Sequence, residues 1–291
     1  MEEKVKASVI IPCYNHGKFI DKAVNSVLNQ TFQNFEIIIV NDGSTDEETN
    51  KILENYNRPK TKVIKIENQG PSVARNTGIQ EAKGEYILPL DADDTIEPTY
   101  MEKAVKILDN DDNVGIVYCD IKLIVKNKFF KKVKTSCLHY KFPECLLFRT
   151  SNIFTVSSFF RKKDWTTVGG FNQNMVAGLE DYNFWLSLIE LGIKVSHINE
   201  PLLNYYRTCK SRDSSMTLEE QKNCYIQIYK NHKTMYLENI EIILKHSVEL
   251  SLNNMRIKSL NKRLIFSLIL ACGGLLGLLA LLIFRSLLWN G

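Results

Sequence analysis

Short apolar runs alternate with stretches of helical periodicity over the first third of the chain, and this alternation constrains the fold more than any other feature. Ala7 to Ile11, Phe35 to Val40, Val63 to Ile66 and Tyr86 to Leu90 read as strands. Between the first two, Phe19, Ile20, Ala23, Val24, Val27 and Leu28 recur at helical spacing. Gly70-Pro71 turns the chain into a further helix that Ser72 is placed to cap, and Gly84 ends it before Tyr86. This order predicts an α/β domain with a mainly parallel central sheet, whose ligands gather at the carboxyl ends of the strands.

The run Tyr86 to Leu90 leads directly into Asp91-Ala92-Asp93-Asp94. Carboxylates at the end of a buried strand form a rigid cradle for a hard cation such as Mg²⁺ or Mn²⁺, which takes oxygen ligands and leaves positions open for substrate phosphates. Aspartates also serve simply as turn formers where strands end. A calcium loop starting at Asp91 is excluded by Ile96 at its sixth position, where the sharp turn requires glycine. Past the other strand ends, Tyr14 is suited to stack on a nucleobase, Asn15 to orient its loop and Asp42 to accept a hydrogen bond from a uracil-type imide. Arg75, on the helix after Gly70-Pro71, can fork onto phosphate or base oxygens. Taken singly, each has an ordinary structural reading: packing for Tyr14, a turn for Asp42, a surface charge for Arg75.

Further along, Pro98 begins a helix to about Asn110, Val114 to Asp120 is another strand, and Ser157 to Phe160 is a short one. Gly169-Gly170-Phe171 reads as a turn, and Asp181 to Leu191 as a helix with Phe184, Trp185, Leu188 and Ile189 inward. The lysine-rich stretch from Lys122 to Lys134 reads as a solvated hairpin edge. From Thr217 to Lys262 an irregularly amphipathic helical segment leads to an uncharged run, Leu264 to Phe284, long enough to cross a bilayer. Arg256, Lys258, Lys262 and Arg263 precede that run and Arg285 alone follows it, which places the large domain in the cytoplasm. Gly273 and Gly277 form a small-xxx-small pair that would bring two such helices together as a homodimer. The expected division is an α/β domain over 1–215, a helical linker over 216–262, a transmembrane helix over 263–285 and a short tail over 286–291.

Composition narrows the class. With 44% hydrophobic and 24% charged residues in 291, the chain can bury one substantial core, and a net charge of +4 lacks the dense basic face of a nucleic-acid binder. Its seven cysteines show no CxxC spacing, as expected of reduced thiols in a cytosolic domain. The N-terminus runs straight into a strand without the apolar region of a signal peptide, so export by that route is not expected.

Taken in order, SVIIPCYN, EIIIVNDGSTD, NQGPSVARNTGI, GEYILPLDADD, GGF and GLEDYNFWLSLIELG resemble glycosyltransferase family 2, the inverting group with the GT-A fold, over residues 7–207. The resemblance implies that Pro12, Tyr14, Asn15, Asp42 and Arg75 surround the nucleotide of a nucleotide-sugar. It further implies that Asp91 faces the ribose, that Asp93 with Asp91 holds Mg²⁺ or Mn²⁺, and that Asp181 is the general base taking the acceptor's hydroxyl proton. The ordinary reading of Glu180-Asp181, acidic residues at a helix start, is compatible with that role. Arg207, with Lys210 and Arg212, is expected to close over the diphosphate. Two positions depart from the family pattern: Asn41 replaces the first acid of its usual Asp-Asp-Gly-Ser loop, and Cys209 stands where a histidine is common.

The expected activity is transfer of one sugar, from a donor most simply uridine-linked, to a hydroxyl of a lipid-linked or saccharide acceptor at the membrane. The rival is a nucleotide-sugar-binding or scaffolding protein without catalysis, which leaves Asp91, Asp93 and Asp181 unexplained. A processive synthase would carry several spanning helices and a QxxRW block, and an oxidoreductase a GxGxxG turn; neither pattern is present.

Overall fold

The computed structural model describes residues 4–126, 133–138, 155–207, 215–245, 247–249 and 252–253. The chain divides into two compact units, residues 1–235 and 236–291. The expected transmembrane helix, the tail, the Gly273/Gly277 pair, Cys209, Lys210 and Arg212 lie outside the described residues, as does the side chain of Arg207. Among the described residues, no helix is long and apolar enough to cross a membrane.

The first half of unit one alternates β1 (Ala7–Cys13), α1 (Gly17–Leu28), β2 (Phe35–Asp42), α2 (Glu47–Glu54), β3 (Thr61–Ile66), α3 (Pro71–Glu81) and β4 (Tyr86–Pro89). The next elements are β5 (Thr95–Ile96), α4 (Tyr100–Asn110), the long strand β6 (Val114–Lys126) and β7 (Val133–Leu138). Then come β8 (Phe159–Arg161), α5 (Lys162–Val168), α6 (Glu180–Glu190), β9 (Lys194–Arg207), α7 (Leu218–Asn231) and α8 (Lys233–Glu238).

The sheet is mixed rather than mainly parallel. β3, β2, β1 and β4 are parallel neighbours in that order, and β6 pairs parallel with β9. β8, however, runs antiparallel between β4 and β6, and β5 runs antiparallel along β9. The periodicity of the first ninety residues reports only the parallel half, because that is where the βαβ crossovers lie. β8 and β7 take successive stretches of one edge of β6, and the described parts of the lysine-rich stretch pair antiparallel in β6 and β7.

Side-chain alternation along β1 and β2 sends Val9, Ile11, Ile37 and Ile39 into one core with Ile20, Val24 and Val27 of α1 and Tyr100, Met101 and Leu108 of α4. Ile10 and Val40 point the other way, toward α3. With both faces covered, these strands read as continuous apolar runs rather than alternating ones. Gly78 permits the approach of α3: a Cβ there would sit 2.5 Å from Ile10 Cγ2 and 3.1 Å from Val40 Cγ2.

Several element boundaries differ from expectation for local reasons. Ser72 does not cap α3; Gly70, at φ 89°, is the cap and Pro71 opens the helix, where its missing N–H costs nothing. α4 starts at Tyr100, two residues after Pro98. The segment from Thr217 is not one long helix: α7 opens with a Thr217–Glu220 capping box and ends at Asn231, with His232 as its C-cap. β9 was not anticipated, since its alternation is interrupted by register shifts opposite Cys119 and Asp120.

Candidate active site

Parallel pairing brings the carboxyl ends of β1, β2 and β4 to one edge of the sheet, and Cys13 lies opposite Asn41 in the β1–β2 register. The loops following these strands are tied together by side chains. Asn15, in the left-handed region at φ 57°, accepts from the backbone N–H groups of Thr45 (2.8 Å) and Asp46 (2.9 Å) through Oδ1. Its own N–H donates to Ser44 Oγ at 3.0 Å. Asparagine tolerates this backbone conformation better than most residues. Asn15 therefore braces the loop after β2 and leaves the Tyr14 ring exposed beside it.

Asn41 organises the same loop. Its amide donates to Asn50 Oδ1 at 3.0 Å and accepts from Ser44 N at 3.0 Å, using donor and acceptor at once. An aspartate here would lack the donor. Asp42 is buried and takes the backbone N–H groups of Gln69 and Gly70, each at 2.9 Å, one on each oxygen. Its carboxylate thus fixes the turn that starts α3. Pro12, half-buried, ends this group on β1.

The centre of the site is Arg75, buried on α3. Nη1 donates to Glu180 Oε1 at 2.8 Å and Nη2 to Asp91 Oδ1 at 3.0 Å, so one guanidinium joins the end of β4 to the start of α6. Burial opposes its charge, but the carboxylates of Asp91, Glu180 and Asp181 outweigh that and hold its pKa above the ordinary arginine value. Arg75 Nε has no partner among the described residues. The resemblance implies that Arg75 faces the nucleotide; in the structure it holds two acidic motifs in one place. Asp181, next to Glu180, is half-buried and accepts from Tyr182 N at 2.7 Å.

The acidic cluster after β4 divides its roles. Asp94 is buried and accepts from Tyr206 N at 2.9 Å, clamping the end of β9 to the cluster. Burial and then the charge of Asp91 push its carboxyl well above the usual aspartate range. Asp93 is half-buried, and burial together with the charge of Asp91 raises its carboxyl, with His16 acting in the opposite sense. Beneath them, burial pushes the Cys13 thiol up to about 11, so it stays protonated. Among the described residues no group of three side chains is arranged to hold a metal ion. Asp91 and Asp93 nevertheless fit Mg²⁺ or Mn²⁺ by donor chemistry: both are oxygen ligands, they repel one another, and such ions use one or two carboxylates with substrate phosphates completing the shell.

Two residues of the site escaped sequence reasoning. Glu180 was credited only with helix-start charge, whereas it is the buried partner of Arg75. Asn76, which follows Arg75 in the Ala-Arg-Asn block, donates to Phe171 O at 2.8 Å and accepts from Phe171 N at 2.9 Å and Trp165 Nε1 at 3.1 Å. It holds the Gly169-Gly170-Phe171 turn against α3. Gly170, at φ 82°, is required there, since a Cβ would lie 2.7 Å from Asn76 Oδ1. Phe171 in turn stacks on Phe184 of α6 at 4.1 Å and lies 5.6 Å from the Arg75 guanidinium carbon. The adjacency of Asn76 to Arg75 in the sequence was the one available signal.

A parallel half-sheet that ends in an aromatic ring, an amide and paired carboxylates, faced by the acidic start of a helix, is a GT-A-like α/β fold. The family model for glycosyl transferase family 2 matches residues 8–167, more than half of the chain, and the protein belongs to that family. Its chemistry is glycosyl transfer. The chain is 29% identical over 267 residues to an uncharacterized glycosyltransferase of Haemophilus influenzae, covering 84% of this chain and 78% of the relative. It is 32% identical over 219 residues to a chondroitin synthase of Pasteurella multocida, covering 74% of this chain but 22% of that larger protein. Among solved structures, S. aureus TarS 1-349 in complex with UDP-GlcNAc superposes with a TM-score of 0.60 at 21% identity, covering 78% of this chain and 66% of that one. The complex of the same protein with UDP gives 0.57 at 20% identity, over 78% of this chain and 65% of that one, which shows a shared fold.

Proposed function

We propose that this chain transfers a single sugar, with inversion, from a uridine-linked nucleotide-sugar to a hydroxyl of a polysaccharide or glycolipid precursor at the membrane. The observation that carries the reading is the Asp91–Arg75–Glu180 connection, which puts the acidic end of β4 and the start of α6, with Asp181, around one guanidinium. The solved TarS complexes with UDP and UDP-GlcNAc support the donor class. The chondroitin and hyaluronan synthases among the relatives support a saccharide acceptor.

In this reading Tyr14 stacks on the base, Asn15 and Asp42 keep the loops around it in place, and Arg207 would close over the diphosphate. Asp181 takes the proton as the acceptor oxygen bonds to the anomeric carbon from the face opposite the leaving group. The anomeric carbon–phosphate oxygen bond breaks, and the electron pair leaves with the nucleotide diphosphate. A Mg²⁺ or Mn²⁺ ion held by Asp93 with Asp91 would stabilise the negative charge on that diphosphate. Glu180, engaged by Arg75, is unsuited to the base role because its charge is already paired. The uncharged run 264–284 motivates a cytoplasm-facing, membrane-anchored enzyme, since a lipid-linked acceptor is confined to the same surface.

The test is a donor screen followed by two variants of the full chain. Thermal stabilisation by UDP-sugars with Mg²⁺ or Mn²⁺ is expected for the wild type and for Asp181→Asn, whereas Asp93→Asn should lose the metal-dependent part. Asp181→Asn should lower turnover by roughly 10²–10⁴-fold. Stabilisation by no nucleotide-sugar, or full turnover in Asp181→Asn, would refute the proposal.

A further inference from the structure

A polar cavity of about 460 Å³ opens beside the Gly169–Asn174 turn on the flank of α6. Asn183, Ser187 and Glu190 line it from α6, and Asn231 and His232 close it from the end of α7. These walls are fixed by their own hydrogen bonds. Asn231 donates to Asn183 Oδ1 at 2.7 Å, and buried His232 bridges Glu190 Oε2 at 2.9 Å and Asn183 Oδ1 at 3.2 Å. The cavity is therefore held open in one geometry before any ligand arrives, which lowers the cost of binding. At its rim the side chains of Gln173 and Asn174 are exposed and have no protein partner among the described residues.

The chemistry of the lining selects the ligand. Carboxamides present donors and acceptors together, Glu190 adds an acceptor, and among the described residues neither lysine nor arginine lines the space. That combination disfavours phosphate, nucleotide and uronate groups. Among the described residues the apolar lining is Val168 and a Phe171 whose ring is buried, so an acyl chain has little to pack against. A neutral, polyhydroxylated ring satisfies such a surface. Position along α6 supplies the functional link: at about 1.5 Å per residue, Glu190 lies roughly 13 Å along the helix from Asp181.

We propose that this cavity is a saccharide subsite that holds a neutral sugar unit of the acceptor, upstream of the unit whose hydroxyl reacts at Asp181. This rests on the reading of the chain as a transferase to a saccharide acceptor. It adds a specificity site, outside the donor cleft, that would select acceptors already carrying neutral units.

The experiment compares the full chain in detergent with a variant carrying Gln173→Trp and Asn174→Trp, which fills the rim, and a milder one carrying Gln173→Ala and Asn174→Ala. Binding is read on an array of neutral and uronate-containing oligosaccharides, and hydrolysis of the donor to free sugar is read separately. Expected are retention of at least one neutral oligosaccharide by the wild type, a loss of at least fivefold in the tryptophan variant, a smaller loss in the alanine variant, and donor hydrolysis unchanged in all three. Wild-type retention of uronate-containing sugars alone, of no sugar, or of neutral sugars equally by the folded tryptophan variant would overturn the subsite. No donor hydrolysis by the wild type would count instead against the transferase reading. Unchanged melting temperature confirms that each variant is folded, and the alanine variant decides the matter if the tryptophan variant does not fold.

Discussion

Arg75 and Glu180, 105 residues apart in the chain, meet as a buried ion pair at 2.8 Å, and the same guanidinium reaches Asp91 at 3.0 Å. The pair fastens α6 to α3 and so sets where the neighbouring Asp181 stands relative to the acidic end of β4. A charge that is 6% exposed needs partners of this kind, because burial of an unpaired guanidinium is prohibitive.

Removing one partner should therefore cost more than removing both. Arg75→Met leaves Glu180 buried without a cation and is expected to destabilise the fold by about 3–5 kcal/mol. Adding Glu180→Gln to it should recover part of that loss. Chemical denaturation of the two single variants and the double variant measures the coupling; strict additivity would show that the pair is energetically idle. Transfer should fall severely in all three, since Asp91 and Asp181 lose their common anchor.

Asp42 makes a different prediction. Its two oxygens hold the N–H groups of Gln69 and Gly70. Asp42→Asn substitutes a donor for one acceptor and faces it toward an N–H, at a cost of about 1–3 kcal/mol. The turn at the start of α3 should loosen, and amide hydrogen exchange at Gln69 and Gly70 should accelerate while exchange in β1 stays slow.

Gly78→Ala tests how closely α3 lies on the sheet. In an exposed helix the change would stabilise by about 1 kcal/mol. Here the added methyl would lie 2.5 Å from Ile10 Cγ2, on a stiff β-branched side chain in the core, and overpacking of that kind costs about 1–3 kcal/mol. A net fall in melting temperature is expected; a rise would mean that α3 can move away without penalty.

Acid sensitivity should depend in part on Asp109. Burial works against its charge, but the Lys6 ammonium at 2.7 Å and the Tyr86 hydroxyl at 2.6 Å hold its carboxyl below the ordinary aspartate value. A carboxyl depressed in the folded state contributes stability above the unfolded value, about pH 4, and loses it as pH falls through the lower folded value. Asp109→Asn should therefore be less stable than the wild type at neutral pH, with the difference shrinking below about pH 4. A difference independent of pH would assign the effect to packing.

Much of the parallel half-sheet is legible in the chain because both of its faces are covered. Ala7–Cys13, Phe35–Asp42 and Tyr86–Pro89 stand out as apolar runs, and each ends where a functional loop begins. The antiparallel half is not legible in that way. The run Ser157 to Phe160 marks β8 only in part, β5 is two residues long and too short to show a period, and the alternation of β9 is broken by register shifts. Likewise Asp91, Asp93, Asp181 and Arg75 were visible as residue types in suggestive company, whereas Asn76 resembled an ordinary polar helix residue.

What the sequence determined alone was chemistry and order: which strand carries which carboxylate, where glycine and proline turn the chain, and the family to which those blocks belong. Tertiary structure decided the partnerships. Asp42 and Asp94 are spent on backbone amides, Arg75 is shared between Asp91 and Glu180, and Asn76 holds Phe171. Such pairings depend on which groups lose water together when distant segments pack, and local sequence carries no record of which remote donor will be buried against which acceptor.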